Sequence, residues 1–145
     1  MHFIVETLVK QDYHKVFKGF DQDLFLKLSP PGIKVELLQF DGCKKGDIVE
    51  LQLSILLFKQ RWKSTITESG KTTNEYFFVD EARGKDLPFF LKEWKHYHRI
   101  INTPEGTKII DDITYKGPLG ISRLLYPILK SQFNYRKPIY QKLFA

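Results

Sequence analysis

The chain has 145 residues, of which 42% are hydrophobic and 28% are charged. This ordinary globular composition excludes disorder, collagen-like repeats and a disulfide scaffold, and the single cysteine, Cys43, also excludes a cysteine-based metal site. A lone cysteine favours a reducing compartment. The longest apolar stretch, Leu51 to Phe58, is far shorter than the ~20 residues that a membrane span needs. We therefore expect one cytoplasmic domain over residues 1–145.

The net charge of +6 raises the question of an acidic partner. The basic residues are scattered, and no zinc-finger or RNA-recognition signature is present, so we expect no nucleic acid partner. Near the C-terminus, Arg123, Lys130 and Lys137 recur every seven residues and would share one face of a helix. A solvated helix face is the simplest interpretation of this stripe. Transient contact with an anionic membrane is the functional alternative.

The first thirty residues predict a strand followed by two short helices. Residues His2 to Val9 have a mostly apolar strand pattern. Asp12 is placed to cap a helix that Gly19 limits to about two turns, and Asp21 is placed to cap a second one. Pro30 and Pro31 must end the second helix, because proline has no amide proton and restricts the residue before it.

From Ile33 the apolar residues repeat with a period of two for most of the next eighty residues, which predicts an antiparallel meander of six strands. The clearest strand alternates apolar residues from Val49 to Leu57 with polar ones. Turns are predicted where glycine, proline, serine and aspartate cluster: Asp41-Gly42, Glu68 to Lys71, Gly84 to Pro88 and Thr103 to Gly106.

The remainder of the chain predicts one long C-terminal helix. After Gly117-Pro118-Leu119-Gly120 the apolar residues follow a helical stripe to the end. Pro127 and Pro138 interrupt the pattern and would bend a continuous helix. Alternatively, the helix begins near Leu125 with Pro127 in its first turn, where a missing amide proton costs nothing.

This order of elements resembles the START-like, or SRPBCC, superfamily, which includes the birch pollen allergen and polyketide cyclases. The segments Phe77 to Glu81, Trp94 to Ile100, Gly106 to Asp111 and Gly117 to Gly120 resemble its bacterial single-domain ligand-binding branch. The resemblance implies an α+β helix-grip fold, in which a seven-stranded curved antiparallel sheet, two short helices and a long C-terminal helix enclose an apolar cavity. It does not imply an enzyme, because the superfamily contains carriers as well as cyclases.

A histidine and an aspartate are predicted to meet inside the sheet. Strand alternation places His96 and His98 on the concave face. If Asn102 pairs with Thr107 across the turn at Thr103 to Gly106, His98 lies opposite Asp111 with β-carbons ~5 Å apart. The sequence therefore predicts a buried His–Asp pair.

Three interpretations of this pair stay open. The pair is a polar contact that satisfies itself in the cavity wall, as buried polar groups must. Alternatively, His96 and His98 anchor the polar group of a ligand. In the third interpretation His98 is a general base oriented by Asp111, as an aromatase or cyclase needs.

The spacing His96-x-His98 also resembles a two-histidine chelate, with Asp80 or Asp111 as a third ligand. Both choices depend on how the strands are paired. We expect no metal and no cofactor.

The expected function is binding or transport of a small hydrophobic molecule, such as a lipid, a sterol-like compound or a polyketide. A cofactor-free cyclase or aromatase using His98 and Asp111 is the first alternative, and an interaction or regulatory module with a collapsed cavity is the second. Of the adjacent rings of Phe89 and Phe90, one is expected to cover the cavity mouth. The residues expected to bind the ligand are Leu51, Leu53, Ile55, Trp62, Phe78, Asp80, Trp94, His96, His98, Asp111, Leu125, Leu129 and Phe133.

Overall fold

Seven antiparallel strands form one sheet in a computed structural model that describes residues 1–145. The strand order is β1-β7-β6-β5-β4-β3-β2. Strands β2 to β7 therefore pair in chain order, and β1 pairs with β7 at the other end of the sheet. This arrangement confirms the predicted α+β class and the six-strand meander. The elements are β1 (His2–Val9), α1 (Tyr13–Lys18), α2 (Gln22–Lys27), β2 (Lys34–Phe40), β3 (Ile48–Ile55), β4 (Phe58–Lys71), β5 (Glu75–Arg83), β6 (Glu93–Thr103), β7 (Gly106–Lys116) and α3 (Ile121–Leu143).

Both short helices begin at the predicted caps. A carboxylate oxygen of Asp12 accepts from the backbone N–H of His14 at 2.9 Å, and one of Asp21 accepts from that of Leu24 at 2.9 Å. These bonds satisfy amide groups that the first turn of a helix leaves free.

The pairing of β6 with β7 has the predicted register. Asn102 lies opposite Thr107, and His98 lies opposite Asp111. The hairpin between them turns at Gly106, whose φ is +138°. A β-carbon at Gly106 would approach the carbonyl oxygen of Val9 to 2.3 Å, so this close passage of two backbones requires glycine.

Two turns differ from the sequence prediction. Strand β3 ends at Ile55, and Leu56, with φ of +54°, leads the chain into β4 without any of the usual turn residues. The predicted turn at Glu68 to Lys71 is wrong, because β4 continues to Lys71. There Gly70 lies opposite Phe77, whose ring occupies the space that a side chain at Gly70 would take. This glycine makes room for a ring within the sheet.

Helix α3 is continuous through Pro127 and Pro138, so the alternative start near Leu125 is wrong. Both prolines are exposed, and the carbonyl groups that they leave without helical partners therefore lie on the solvent side. The opposite side buries Leu129, Phe133 and Tyr140. None of the helices combines the length and the apolarity that a membrane crossing requires.

The core lies between α3 and the concave face of the sheet, in separate clusters. One cluster joins Phe3, Trp94, Ile113, Leu129 and Phe133. Another joins α1, α2 and the C-terminal end of α3, and a third lies on β3. These clusters surround a space that the side chains do not fill.

Candidate functional site

A cavity of about 380 Å³ occupies the space between the sheet, α2 and α3. Of the 32 residues that line it, 22 are hydrophobic. Its volume and apolar lining are typical of pockets for small molecules, which range over roughly 300–1,000 Å³. The collapsed cavity of the interaction-module alternative does not agree with this structure.

Every residue expected to bind the ligand lines this cavity except Asp111. Asp111 is fully buried beneath the wall, where it contacts His96. The predicted residues on the wall are Leu51, Leu53, Ile55, Trp62, Phe78, Asp80, Trp94, His96, His98, Leu125, Leu129 and Phe133.

The polar part of the wall is a cluster of Asp80, His96, His98 and Asp111, which we call the His–Asp cluster. His96 Nε2 lies 2.8 Å from Asp111 Oδ1, and His98 Nε2 lies 2.8 Å from Asp80 Oδ2. His98 Nδ1 is 3.8 Å from Asp111 Oδ1, too far for a hydrogen bond. The predicted register is correct and both residues are buried, but the direct hydrogen bond between His98 and Asp111 that the first interpretation needs is not formed.

The hydrogen bonds of the cluster run diagonally between strands. Asp80 on β5 lies opposite His96, yet it bonds to His98, and Asp111 on β7 lies opposite His98, yet it bonds to His96. Side chains lean along the strand, which brings diagonal neighbours within reach. The two imidazole rings lie over each other with centroids 3.4 Å apart, and the ring of Phe78 stacks on His98 at 4.1 Å.

Burial competes with hydrogen bonds and neighbouring charges in setting the charge of this cluster. It lowers the pKa of His98 to about 4, repulsion from His96 adds to the effect, and the hydrogen bond to Asp80 opposes it. Burial alone would raise the pKa of Asp80 and of Asp111. Hydrogen bonds and charges of the two histidines outweigh burial, and Arg136 assists at Asp111, so both carboxyl pKa values are lowered. At neutral pH the carboxylates are ionised and His98 is neutral.

Helix α3 adds polar residues that the sequence analysis did not select. Gln132, Arg136 and Tyr140 line the cavity. Arg136 Nη1 lies 4.0 Å from Asp111 Oδ1, and its guanidinium lies 4.1 Å from the centroid of the Phe133 ring. An arginine within the apolar stripe of α3 was the available sequence signal. Burial and the charge of Asp111 raise the pKa of Tyr140 and keep its hydroxyl protonated.

Cys43, which the sequence places in a loop away from any histidine, also lies on the cavity wall. Its Sγ is 3.6 Å from the carbonyl oxygen of Phe20. Burial, followed by the negative charges of Asp80 and Asp47, raises the pKa of the Cys43 thiol to about 12. The thiol is therefore protonated and poorly reactive at neutral pH.

Comparison with solved structures supports the same architecture over the full length. Protein Ms6760 from Mycobacterium smegmatis has a TM-score of 0.70 at 13% identity, over 99% of this chain and 90% of that one. Protein CV1439 from Chromobacterium violaceum has a TM-score of 0.68 at 12% identity, over 97% and 96%. Ara h 8.0201 has a TM-score of 0.61 at 15% identity, over 97% of both chains. The chain has a Bet v 1-like helix-grip fold.

No family model and no curated protein matches the chain. At 12–15% identity the similarity concerns the helix-grip fold alone. A shared fold does not determine function.

Exposed apolar side chains lie beside the residues that line the cavity of this helix-grip fold. At the β3–β4 turn, Leu56 and Leu57 are 93% and 97% exposed, and Phe58 is 63% exposed. In the neighbouring loop Phe89 is exposed while Phe90 lines the cavity, so one ring of this pair points inward. The loop is joined to the hairpin because the Phe89 N–H donates to Gln60 Oε1 at 3.1 Å. Exposed Leu124 likewise precedes Leu125 on the wall.

Proposed function

We propose that the protein binds a small hydrophobic molecule, of the lipid, sterol-like or polyketide type, in the cavity between the sheet and α3. The observation that carries this proposal is the cavity of about 380 Å³ with its mainly hydrophobic lining. A folded chain that leaves such a space open forgoes packing energy there, and an apolar ligand recovers it by burying its own surface.

One side of the cavity favours a ligand with a polar oxygen. Arg136 and Gln132 offer N–H donors there. A mainly hydrocarbon molecule with one carboxylate, phenol or carbonyl group would satisfy these donors while its body contacts Leu51, Leu53 and their neighbours.

Native mass spectrometry of gently purified protein, followed by organic extraction, tests for such a molecule without a prior guess. Binding of anilinonaphthalene sulfonate then measures the cavity itself. Leu53→Trp fills the cavity from β3 and is expected to weaken probe binding at least tenfold. The matched control is Ile4→Trp, on the outward face of β1, where the side chain is 48% exposed. Equal probe binding by wild type and both variants would refute the proposal.

The cyclase alternative receives less support from the geometry. Nε2 of His98 is engaged by Asp80, and a pKa of about 4 makes this imidazole a weak base at neutral pH. A carrier does not need a proton acceptor at this position. Binding with no turnover of an extracted ligand is the expected result.

We propose that the ligand enters and leaves at an anionic membrane surface. The apolar tip, formed by Leu56 and Leu57 at the end of the β3–β4 hairpin, is placed to insert into a bilayer. Exposed Lys59 and Arg61 follow on the same hairpin. Apolar side chains that enter the headgroup region and cations that face anionic lipids act together in interfacial binding.

A further inference from the structure

The His–Asp cluster places three metal-ligating atoms around one point of the cavity wall. Asp80 Oδ2 lies 2.8 Å from His98 Nε2 and 3.5 Å from His96 Nδ1. One ligand atom from each of Asp80, His96 and His98 lies within 4.8 Å of the other two. Two imidazole nitrogens and one carboxylate oxygen form a donor set that suits zinc and ferrous ions.

Two of these separations are close to those that a single bound ion imposes. Ligand bonds of about 2.0–2.2 Å in tetrahedral or octahedral geometry place neighbouring ligand atoms roughly 3–3.5 Å apart. The distances from Asp80 Oδ2 to the two histidines fall close to this range. Coordination of an ion requires rotation of the three side chains, and it replaces the hydrogen bond between His98 Nε2 and Asp80 Oδ2.

Neighbouring groups orient the donors as they do in metal sites. Asp111 accepts from Nε2 of His96 at 2.8 Å, which leaves the lone pair of a neutral ring on Nδ1, facing Asp80. The indole N–H of Trp94 donates to the other oxygen of Asp80 at 3.1 Å. Buried carboxylates behind ligating histidines fix the tautomer and strengthen the ligand. Asp111 is therefore placed as a positioning residue, and Asp80 as the ligand.

The charge and exposure of the cluster favour a cation with free coordination positions. The carboxylates of buried Asp111 and half-buried Asp80 face only one permanent cation, Arg136, at 4.0 Å from Asp111. Asp80, His96 and His98 all line the cavity. Coordination positions that the protein leaves open would therefore face the ligand space, where an oxygen of a bound molecule could fill them.

We propose that Asp80, His96 and His98 bind one divalent transition-metal ion, of the zinc or ferrous type, on the cavity wall. His98 coordinates through Nε2 and carries its proton on Nδ1, which is buried without a partner in the unliganded arrangement and lies 3.8 Å from Asp111 Oδ1. The site does not depend on the hydrophobic ligand, and either proposal can fail alone.

Titration of EDTA-treated protein with Co²⁺, followed by displacement with Zn²⁺, tests the site, because the absorption of Co²⁺ reports nitrogen and oxygen coordination. One equivalent is expected to bind. His96→Gln and His98→Gln are each expected to weaken binding at least about 100-fold, and Asp111→Asn about 10- to 100-fold. His14→Gln, which changes an exposed histidine bonded to Tyr76, is the control and is expected to bind like wild type. Binding of anilinonaphthalene sulfonate by the same variants shows that the cavity is intact.

Absence of stoichiometric binding, or equal binding by His98→Gln and His14→Gln, would overturn the proposal. Imidazole nitrogen NMR of the wild type tests the same proposal without variants, and it is therefore decisive even where the cluster variants do not fold. The chain has 4 histidines. Zn²⁺ is expected to shift the resonances of His96 and His98 and to leave those of His2 and His14 in place. The opposite pattern would assign the metal to the surface.

Discussion

The apolar tip of the β3–β4 turn gives the sharpest test of membrane contact. Leu57 is 97% exposed, so almost its whole side chain is available for insertion. Burying a leucine side chain contributes roughly 1.5–3 kcal/mol. Leu57→Ser removes this contribution, and the partition coefficient is expected to fall about 10- to 100-fold, since 1.4 kcal/mol corresponds to a factor of about ten.

The same substitution should leave the folded protein unchanged. Leu57 is in water in the folded state and in the unfolded chain, so the free energy of unfolding is expected to change by less than about 0.5 kcal/mol. A loss of membrane binding by Leu57→Ser therefore reports on the surface and not on folding.

Co-sedimentation with phosphatidylcholine vesicles that contain phosphatidylserine measures the partition. The control variant is Leu8→Ser on the outward face of β1, where Leu8 is 46% exposed. It is expected to bind vesicles like wild type. Added salt should weaken binding of both proteins, because the basic residues act through screened charges. Equal binding of Leu57→Ser and Leu8→Ser, or no preference for anionic vesicles, would refute the reasoning.

Three further predictions concern stability and reactivity. EDTA-treated protein is expected to lose about 3 kcal/mol between pH 7 and pH 4, because the His98 pKa falls on folding from 6.5 to about 4 and the unfolded chain binds that proton first. Denaturant unfolding at several pH values checks this, and His98→Gln should flatten the profile. At pH 8, Cys43 should react with iodoacetamide about 1,000-fold more slowly than an unperturbed thiol, since its pKa is about 12; rapid labelling of the native protein would contradict this. Gly106→Ala is expected to cost at least about 3 kcal/mol in thermal unfolding, more than Gly46→Ala, which has a positive φ but open space around it.

Local patterns in the sequence determined most of the elements. Asp12 and Asp21 cap helices because their side chains bond amides two or three residues away, and such short-range chemistry is visible in sequence. The register that places His98 opposite Asp111 followed from alternation and one turn. The β3–β4 turn was missed because Leu56 and Leu57 carry none of the usual turn signals.

The contacts within the candidate site depend on residues that are far apart in the chain. Sequence alternation placed His96, His98 and most of the cavity wall on the concave face, since a period of two fixes the side of a sheet. Which carboxylate each imidazole contacts was decided by the lean of side chains across three strands. The presence of Arg136 at the cluster was decided by the packing of α3 over the sheet. Periodicity therefore determined the faces of the elements, whereas the contacts between faces are set by packing of residues that are far apart in the chain.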